Sequence, residues 1–293
     1  MLERILNVVV NGLLTGGIYA LIAVGLSLQY GVARVLNIAH GEFIMIGGFL
    51  TWTLYKIVGI NPIACLAVSA PLIFVIGYVL HRTMFERLRR ISESLPAFEG
   101  ASMLACFGLL FIIQNLVILI WGAGIKGYSY LSFPIRVGEN AVFAANRLTT
   151  FGFVVVICSV FYLFLARTRM GKGIRAAAQD PATAQIVGVN IKKVLALCFG
   201  FGALMAGMAG TLVSMSYKIE PTMGLEYTII AIIVVVLGGM GSIVGSFVGG
   251  LVLGLVGSVV SHIEPGLSLA AYYLIFMLLL LAKPTGIMGK RIS

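Results

Sequence analysis

The chain has 293 residues, of which 60% are hydrophobic and 10% are charged, and its mean hydropathy is +1.08. This composition excludes an ordinary water-soluble domain, so we predict an all-α polytopic membrane protein with residues 1–293 as one domain in a lipid bilayer. The net charge of +10 does not indicate nucleic-acid binding, because thirteen of the twenty Lys/Arg fall in three stretches, 81–100, 167–193 and 283–293. Such clusters are typical of short cytoplasmic loops.

A helix needs about 20 apolar residues to cross a bilayer. By this criterion the candidate spans are 8–30, 35–55, 60–80, 102–122, 149–166, 194–217, 227–240, 243–261 and 267–282. With all three basic stretches on the cytoplasmic side, even numbers of spans separate them, as topology requires. We therefore predict eight or nine transmembrane helices, some interrupted, and a cytoplasmic C-terminus. Three full spans before residue 81 would put the N-terminus outside, whereas one re-entrant segment there would put it inside.

The first unusual apolar stretch is Leu36–Gly48, LNIAHGEFIMIGG, in which Asn37, His40 and Glu42 stand at lipid depth. An ionised carboxylate there costs roughly 2.5–3.5 kcal/mol, and Gly41, Gly47 and Gly48 are expected to weaken the helix. One interpretation is a discontinuous helix that lines a solute path. The other is that Glu42 lies near the cytoplasmic interface and holds a helix end. His40 and Glu42 are not predicted to form a metal site, because alternate residues do not share a helix face.

The mixed-charge stretch 81–100 is predicted to be a cytoplasmic loop that starts as a helix and is ended by Pro96 and Gly100. The next span carries Gln114 and Asn115, polar groups that need partners inside a bundle. They are candidates for the translocation path, although hydrogen bonding between helices is the simpler interpretation. Residues 123–148 form the longest outward, periplasmic loop and include one short extended piece.

The cytoplasmic stretch 167–193 contains a predicted short helix from Pro181 to Val187. Asp180 supplies a helix N-cap, Pro181 suits the first helical position and Gly188 is a helix stop. Its compact apolar surface consists of Ala182, Ala184, Ile186 and Val187. This surface is either a docking site for another protein or simply part of a capped cytoplasmic helix.

Glycines recur four residues apart in the last third of the chain, at Gly241, Gly245 and Gly249, and such spacing permits close helix packing. Before them, Gly238, Gly239 and Gly241 interrupt an apolar run of only about 14 residues. This is a second helix break, in the second half of the chain. Two interrupted segments in corresponding halves indicate a central solute site.

The sequence has no phosphate-binding loop of the G-x-x-x-x-G-K-[ST] type and no H-E-x-x-H, C-x-x-C or G-x-S-x-G motif. We therefore predict no catalytic residues, no metal site and no cofactor, and hence a protein that is not an enzyme.

Three blocks carry a family resemblance: GGIYALIAVGLSLQYGVARVLNIAHGEFIMIGGF (16–49), GKGIRAAAQDPATAQIVGVNIKKV (171–194) and VVLGGMGSIVGSFVGG (235–250). Together they resemble the LivH type of permease in bacterial ATP-binding cassette (ABC) importers for branched-chain amino acids. The resemblance implies an inner-membrane subunit that pairs with a second, LivM-like permease. It also implies two cytoplasmic ATP-binding cassette subunits and a periplasmic substrate-binding protein. Pro181–Val187, followed by Gly188, corresponds to the helix that docks on the ATPase.

The resemblance leaves the solute open, because related permeases carry urea or short-chain amides and, more distantly, sugars. The alternative from another class is a secondary transporter that works without an ATPase and uses Glu42 as a proton or ion site. A purely structural membrane anchor fits poorly with two interrupted spans.

Overall fold

The computed structural model describes residues 2–137, 141–283 and 285–288. The α-helices in these ranges are α1 Leu2–Leu28, α2 His40–Thr53, α3 Pro62–Leu80, α4 Glu86–Ile91, α5 Leu95–Trp121, α6 Ala145–Arg167, α7 Arg169–Gln179, α8 Pro181–Ile186, α9 Ile191–Ser216, α10 Met223–Gly238, α11 Ile243–Ile263 and α12 Ser268–Ala282. Three π-helical turns extend α1, α2 and α3, at Gln29–Ala33, Leu54–Val58 and His81–Phe85, and a 3-10 turn, Pro265–Leu267, precedes α12.

Seven helical segments of the described ranges are long and apolar enough to cross a membrane. They contain α1, α3, α5, α6, α9, α11 and α12. The two remaining predicted spans, 35–55 and 227–240, overlap the shorter helices α2, of 14 residues, and α10, of 16 residues. The prediction of an all-α polytopic membrane protein is confirmed.

One end of the helix bundle, which we call the basic end, carries α4, α7 and α8. The Nζ atom of Lys192, at the start of α9, lies 3.8 Å from Oε1 of Glu86 in α4. Gly31, just after α1, packs on Gly241, just after α10, so closely that a Cβ on Gly31 would lie 2.8 Å from the Cα atom of Gly241. The turn Gln29–Ala33 also contacts α7, so both α1 and α10 end at the basic end.

The opposite end, which we call the hairpin end, carries strands β1 (Pro134–Val137) and β2 (Ala141–Ala144). They pair antiparallel, with Pro134 opposite Ala144. The start of α1 lies here, because the Ser258 hydroxyl at the end of α11 donates to the Val8 carbonyl over 2.6 Å. A bridge between Lys126 and Ile219 ties the loop after α5 to the turn after α9. The predicted outward loop 123–148 thus contains two paired strands and a bridge, where one extended piece was predicted. Residues 138–140 of this loop lie outside the described residues.

Helix α9 is the centre of the bundle. Of the most apolar 18 residues of α9, 78% are buried inside the protein. For the segment Pro265–Ala282, which contains α12, this share is 6%. Close packing around α9 relies on small residues: Gly47 of α2 faces the backbone of Gly207, and Gly210 faces the backbone of Ile44. With no Cβ between them the two backbones touch directly, which is how membrane helices gain dispersion contact without a hydrophobic driving force. Helices α1 and α11 meet in the same way through Gly16 and Gly254.

One expectation about the polar stretches was wrong. Pro96 and Gly100 do not end a helix: Pro96 sits in the first turn of α5, the Ser94 hydroxyl caps this helix by accepting the Ala97 N–H over 3.3 Å, and Gly100 lies inside it. The stretch 81–100 is therefore mostly helical. The stretch 167–193 contains a second helix, α7, in addition to the predicted one.

Candidate transport site

The predicted path residues Asn37, His40 and Glu42 are all buried at the start of α2, with at most 1% of each exposed. Asn37 donates through Nδ2 to Oε1 of Gln29 over 3.2 Å, and Gln29 donates through Nε2 to the Phe199 carbonyl over 3.0 Å. These contacts join the π-helical turn after α1, the irregular segment 34–39 and α9. We call Gln29, Asn37, His40, Glu42 and Thr228 the buried polar cluster.

The first turn of α2 begins inside the bundle, and its backbone donors already have partners there. The His40 N–H donates to the Asn37 carbonyl and the Glu42 N–H to the Ala39 carbonyl, each over 3.1 Å. The Gly41 N–H donates to the Thr228 hydroxyl of α10 over 2.8 Å. A helix start in an apolar medium must satisfy its donors internally. These amides therefore hold α2 in place in this conformation and are not presented to a solute.

Three side-chain atoms of the cluster have no hydrogen-bond partner among the described residues: Oε2 of Glu42, Nδ1 of His40 and Oδ1 of Asn37. The other ring nitrogen of His40, Nε2, lies 3.1 Å from the Ile22 carbonyl oxygen. The Glu42 carboxyl group rests on Gly224, where an added Cβ would lie 2.6 Å from the carboxyl carbon. Buried polar atoms without partners mark a position of strain or function, so the cluster is the candidate site in the membrane interior.

The glycines predicted to break the first segment lie inside α2 instead. The chain is non-helical at 34–39, before the glycines, and Arg34 has a positive φ of 55°. Gly41 contacts the backbone of Gly224, while Gly47 and Gly48 face α9. The break in this segment therefore lies before the glycines, and their weakening effect on the helix stays a prediction.

The second predicted break lies between α10 and α11. Gly239 and Gly241 have φ angles of 102° and 82°, in the region that favours glycine. Gly238 packs on the backbone of Gly245, and a Cβ on Gly249 would lie 2.9 Å from the Val234 carbonyl oxygen. The break is thus a sharp reversal at the basic end, after which the two helices run in close contact.

Gln114 and Asn115 lie on α5, away from the buried polar cluster. Asn115 is exposed, and its Nδ2 donates to the Phe111 carbonyl of its own helix over 2.8 Å. Gln114 is half-buried. The structure does not bring Asn115 together with Asn37, His40 and Glu42, and its described hydrogen bond is intrahelical rather than between helices.

At the basic end, a groove of about 750 Å³ lies between α4, α8 and the start of α9. Glu86 lies on this groove and pairs with Arg90 over 2.6 Å, and Arg82 and Lys192 each approach it to 3.8 Å. Helix α8 forms part of the groove wall. Its Ala184 is buried against the protein, whereas Ile186 and Val187 are 84% and 73% exposed. Ala184 therefore attaches α8 to the bundle, and the outward apolar surface consists of Ala182, Ile186 and Val187.

Local sequence determines both ends of α8. Asp180 caps it, since its Oδ1 accepts the Ala182 N–H over 2.9 Å and its Oδ2 accepts the Thr183 hydroxyl. Donation from the Thr183 hydroxyl, supported by the Thr183 and Ala182 amides, lowers the pKa of the Asp180 carboxyl below its usual value. At the other end Gly188 takes a φ of 89°, the left-handed conformation typical of a helix C-terminus.

A cavity of about 450 Å³ opens at the hairpin end, between α1, α6, α10, α11 and α12. Arg147 and Glu226 both line it, as do Tyr19, Ile230 and Tyr272. Its lining residue Ile230 is two residues from Thr228 along α10, so the cavity reaches about the depth of the buried polar cluster on a different face of that helix. The described residues therefore offer three features for transport: a cavity at one end, a sealed polar cluster in the interior and a groove beside α8 at the other end.

Comparison with known proteins identifies the family. The family model described as the permease component of branched-chain amino acid transport systems matches residues 8–282. The chain belongs to this family. The permease is 33% identical over 306 residues to the high-affinity branched-chain amino acid transport system permease protein BraD of Pseudomonas aeruginosa, covering 97% of this chain and 96% of BraD.

Two further relatives carry the name LivH. The permease is 31% identical over 297 residues to the LivH protein of Escherichia coli K12, covering 96% of this chain and 94% of the relative. It is 26% identical over 265 residues to a probable LivH protein of Methanocaldococcus jannaschii, covering 86% and 80%. The resemblance inferred from the three sequence blocks is confirmed.

Several residues of these features escape sequence reasoning. Gln29 and Thr228 join the polar cluster, yet each is an uncharged polar residue in a predicted apolar span, with nothing in the sequence that sets it apart. Arg147 and Glu226 line the outer cavity of the permease, although they stand near the predicted span ends, where charges are common. Glu86 organises the cations beside the groove. In each case the missing information is a contact between residues far apart in sequence.

Proposed function

We propose that this permease is the LivH-type subunit of an ATP-driven importer for leucine, isoleucine and valine. It forms the translocation path with a second, LivM-like permease, while two cytoplasmic ATP-binding cassette subunits supply the energy and a periplasmic binding protein delivers the solute. The family membership and the long matches to BraD and LivH support this assignment.

In this proposal the basic end is cytoplasmic and the complex lies in a bacterial inner membrane. The clusters of Arg and Lys at α4, α7 and the start of α9 support that orientation, since cytoplasmic loops carry such an excess. All nine predicted spans then cross or enter the membrane, and the two short helices among them are α2 and α10. The start of α1 lies outside, and the chain after α12 lies inside.

One observation supports a role of α8 in coupling to the ATP-binding subunits. This capped helix at the basic end is attached to the bundle by Ala184, and the exposed side chains of Ile186 and Val187 point outward at its end. Adjacent exposed apolar side chains suit a contact with another protein, because such a contact would remove their apolar area from water. The ATP-binding subunits are the partners that we assign to this surface. The helix is short and fixed at both ends, so it can be moved as a unit.

Movement of α8 can reach the membrane interior through α9. Helices α7 and α8 both contact α9, which packs backbone to backbone on α2 through Gly207 and Gly210. Such tight packing favours rigid-body shifts over bending. Closure of the ATPase dimer would then displace α9 and the start of α2 together, opening the buried polar cluster to alternate sides.

The test uses cells that express this permease with its neighbouring genes and compares Ile186→Asp with Ile91→Asp. Ile91 is a suitable control because it is 71% exposed at the same end, at the close of α4, but outside α8. Uptake of labelled leucine should depend on ATP, should be competed by isoleucine and valine, and should be lost in Ile186→Asp only. Val187→Asp should behave like Ile186→Asp.

Each opposing outcome identifies a specific error. ATP-dependent uptake of urea without leucine would keep the coupling mechanism but contradict the solute. Uptake by this chain alone, driven by an ion gradient, would favour a secondary transporter. Normal leucine uptake in both α8 variants, with the complex intact, would refute the docking role of α8.

A further inference from the structure

The outer cavity combines two unlike charges within a volume suited to a small molecule. It occupies about 450 Å³, within the range of roughly 300–1,000 Å³ that small-ligand sites occupy. Arg147 comes from the start of α6 and Glu226 from the first turn of α10. Among the described ion pairs none joins these two side chains within 4.0 Å. Both can therefore face a ligand.

Arg147 is held in position by two neighbours. Its Nη1 donates to Oδ1 of Asn11 over 3.3 Å, and its guanidinium carbon lies 5.4 Å from the centroid of the Tyr217 ring. A guanidinium has five N–H donors in a planar fork that matches a carboxylate. The Asn11 contact uses one of them, so the fork keeps donors for an anionic group. Tyr217 and Asn11 line the same cavity.

The remaining wall is mixed: it has an aromatic and aliphatic side, and it also carries the polar residues Asn7, Thr15, Ser258, Ser261, His262 and Ser268. The rings of Tyr19 and Tyr272 meet edge to face with centroids 6.0 Å apart, and Ile230 and Leu269 also line the cavity. Gly257 leaves room for the Tyr272 hydroxyl, where any side chain would collide with it. Arg147, Glu226 and the apolar side of this wall match the three parts of an aliphatic α-amino acid: carboxylate, ammonium and side chain.

From this geometry we infer that the outer cavity is a binding site for a zwitterionic aliphatic amino acid, with Arg147 on its carboxylate and Glu226 on its ammonium group. The inference rests on the proposed function and adds a recognition step within the permease itself. Solute released by a binding protein would be held here, at the hairpin end, before the buried polar cluster opens. A site built around paired charges rejects analogues that lack either charge.

Calorimetric titration of the purified complete complex, without its binding protein, tests the assignment. The probes are leucine, leucinamide, which lacks the carboxylate, and 4-methylpentanoate, which lacks the ammonium group. Wild-type complex should bind leucine at least about tenfold more tightly than either analogue, as expected for one lost charged hydrogen bond. Arg147→Gln should bind leucine and leucinamide equally, and Glu226→Gln should bind leucine and 4-methylpentanoate equally.

Two matched variants control for general charge effects. Lys218→Gln and Glu220→Gln remove exposed charges near the same end that do not line this cavity, and both should bind like the wild type. Arg147→Lys should fall between wild type and Arg147→Gln, because lysine keeps the charge but loses the fork. ATP hydrolysis stimulated by the loaded binding protein reports that each variant complex is assembled.

Two outcomes would overturn the inference. One is a wild-type complex that transports leucine but binds it no more tightly than the analogues. The other is an Arg147→Gln complex that still discriminates leucine from leucinamide as the wild type does. Failure of the wild type to transport leucine with ATP and binding protein present would instead contradict the proposed function, so the two failures are distinguishable.

Discussion

The contact between α9 and α2 at Gly210 gives the sharpest stability prediction. A Cβ on this residue would collide with the Ile44 carbonyl oxygen, and it would lie 2.7 Å from the Ile44 carbonyl carbon and 3.0 Å from the Gly48 nitrogen. All three obstructing atoms are backbone, so no side-chain rotation relieves the clash. Gly210→Ala must therefore separate two helices that now touch.

The magnitude follows from two opposing effects. Alanine favours the helix over glycine by up to about 1 kcal/mol, whereas forcing an extra methyl group into a packed core costs about 1–3 kcal/mol. Gly108 in α5 is the matched control, because it has nothing within 4 Å of the added Cβ and experiences only the favourable effect. Gly210→Ala should thus be less stable than Gly108→Ala by about 1–3 kcal/mol.

The assay is unfolding of the purified permease in detergent, followed by circular dichroism during titration with a denaturing detergent. Gly47→Ala should also destabilise, since its Cβ would meet the Gly207 backbone from the other side of the same interface. Equal or greater stability of Gly210→Ala relative to Gly108→Ala would refute direct backbone contact as the basis of the α2–α9 packing.

Three further predictions concern α8 and the polar cluster. Gly188→Ala should lower the free energy of opening the C-terminal end of α8 by about 1 kcal/mol or more, because alanine is strained at a φ of 89°. Faster amide hydrogen exchange of residues 181–187 would detect this change, with Gly100→Ala as an unstrained helical control. Since the pKa of Asp180 is lowered, its stabilisation of α8 is complete above the unfolded value of about 3.9 and is lost only as pH falls through the lower folded value. The protection of the α8 amides against hydrogen exchange, after correction for the pH dependence of the chemical exchange rate, should hence be the same at pH 5 and pH 7. Lower protection at pH 5 would contradict the capping geometry. Glu42→Gln should keep ATP-driven leucine uptake close to wild type, because the amide fills the same space against Gly224; loss of uptake with an intact complex would favour the ion-coupled alternative.

The sequence predicted well those features that depend on local chemistry. Spans follow from apolar runs, and each predicted span overlaps a helix of the structure. The ends of α8 follow from Asp180, Pro181 and Gly188, since a cap, a first-turn ring and a left-handed stop act within a few residues. The bounds differ by one residue, because α8 ends at Ile186 rather than Val187.

Errors arose where one residue type serves two structural purposes. Proline can follow a helix or open one, and Pro96 opens α5 because Ser94 precedes it as a cap. Helix α7 was missed, although the Thr168 hydroxyl caps it by accepting the Gly171 N–H and Gly171, Ile174 and Ala177 are all buried. These buried residues recur every three positions, and the basic residues of α7 are exposed on its other face, so the sequence did carry an amphipathic helical pattern here.

The polar cluster shows the limit of sequence reasoning most clearly. The sequence shows that Asn37, His40 and Glu42 are unusual residues for a lipid environment. It gives no sign that the Thr228 hydroxyl, 187 residues after Gly41, accepts a hydrogen bond from the Gly41 N–H. The same contact bears on function. While Thr228 and the Ala39 and Asn37 carbonyls hold the first donors of α2, that helix start cannot bind a solute. Solute access to it requires α2 and α10 to separate, and α9 is the helix that links α2 to α8 at the basic end. The long-range contacts that the sequence hides are thus those that transport has to rearrange.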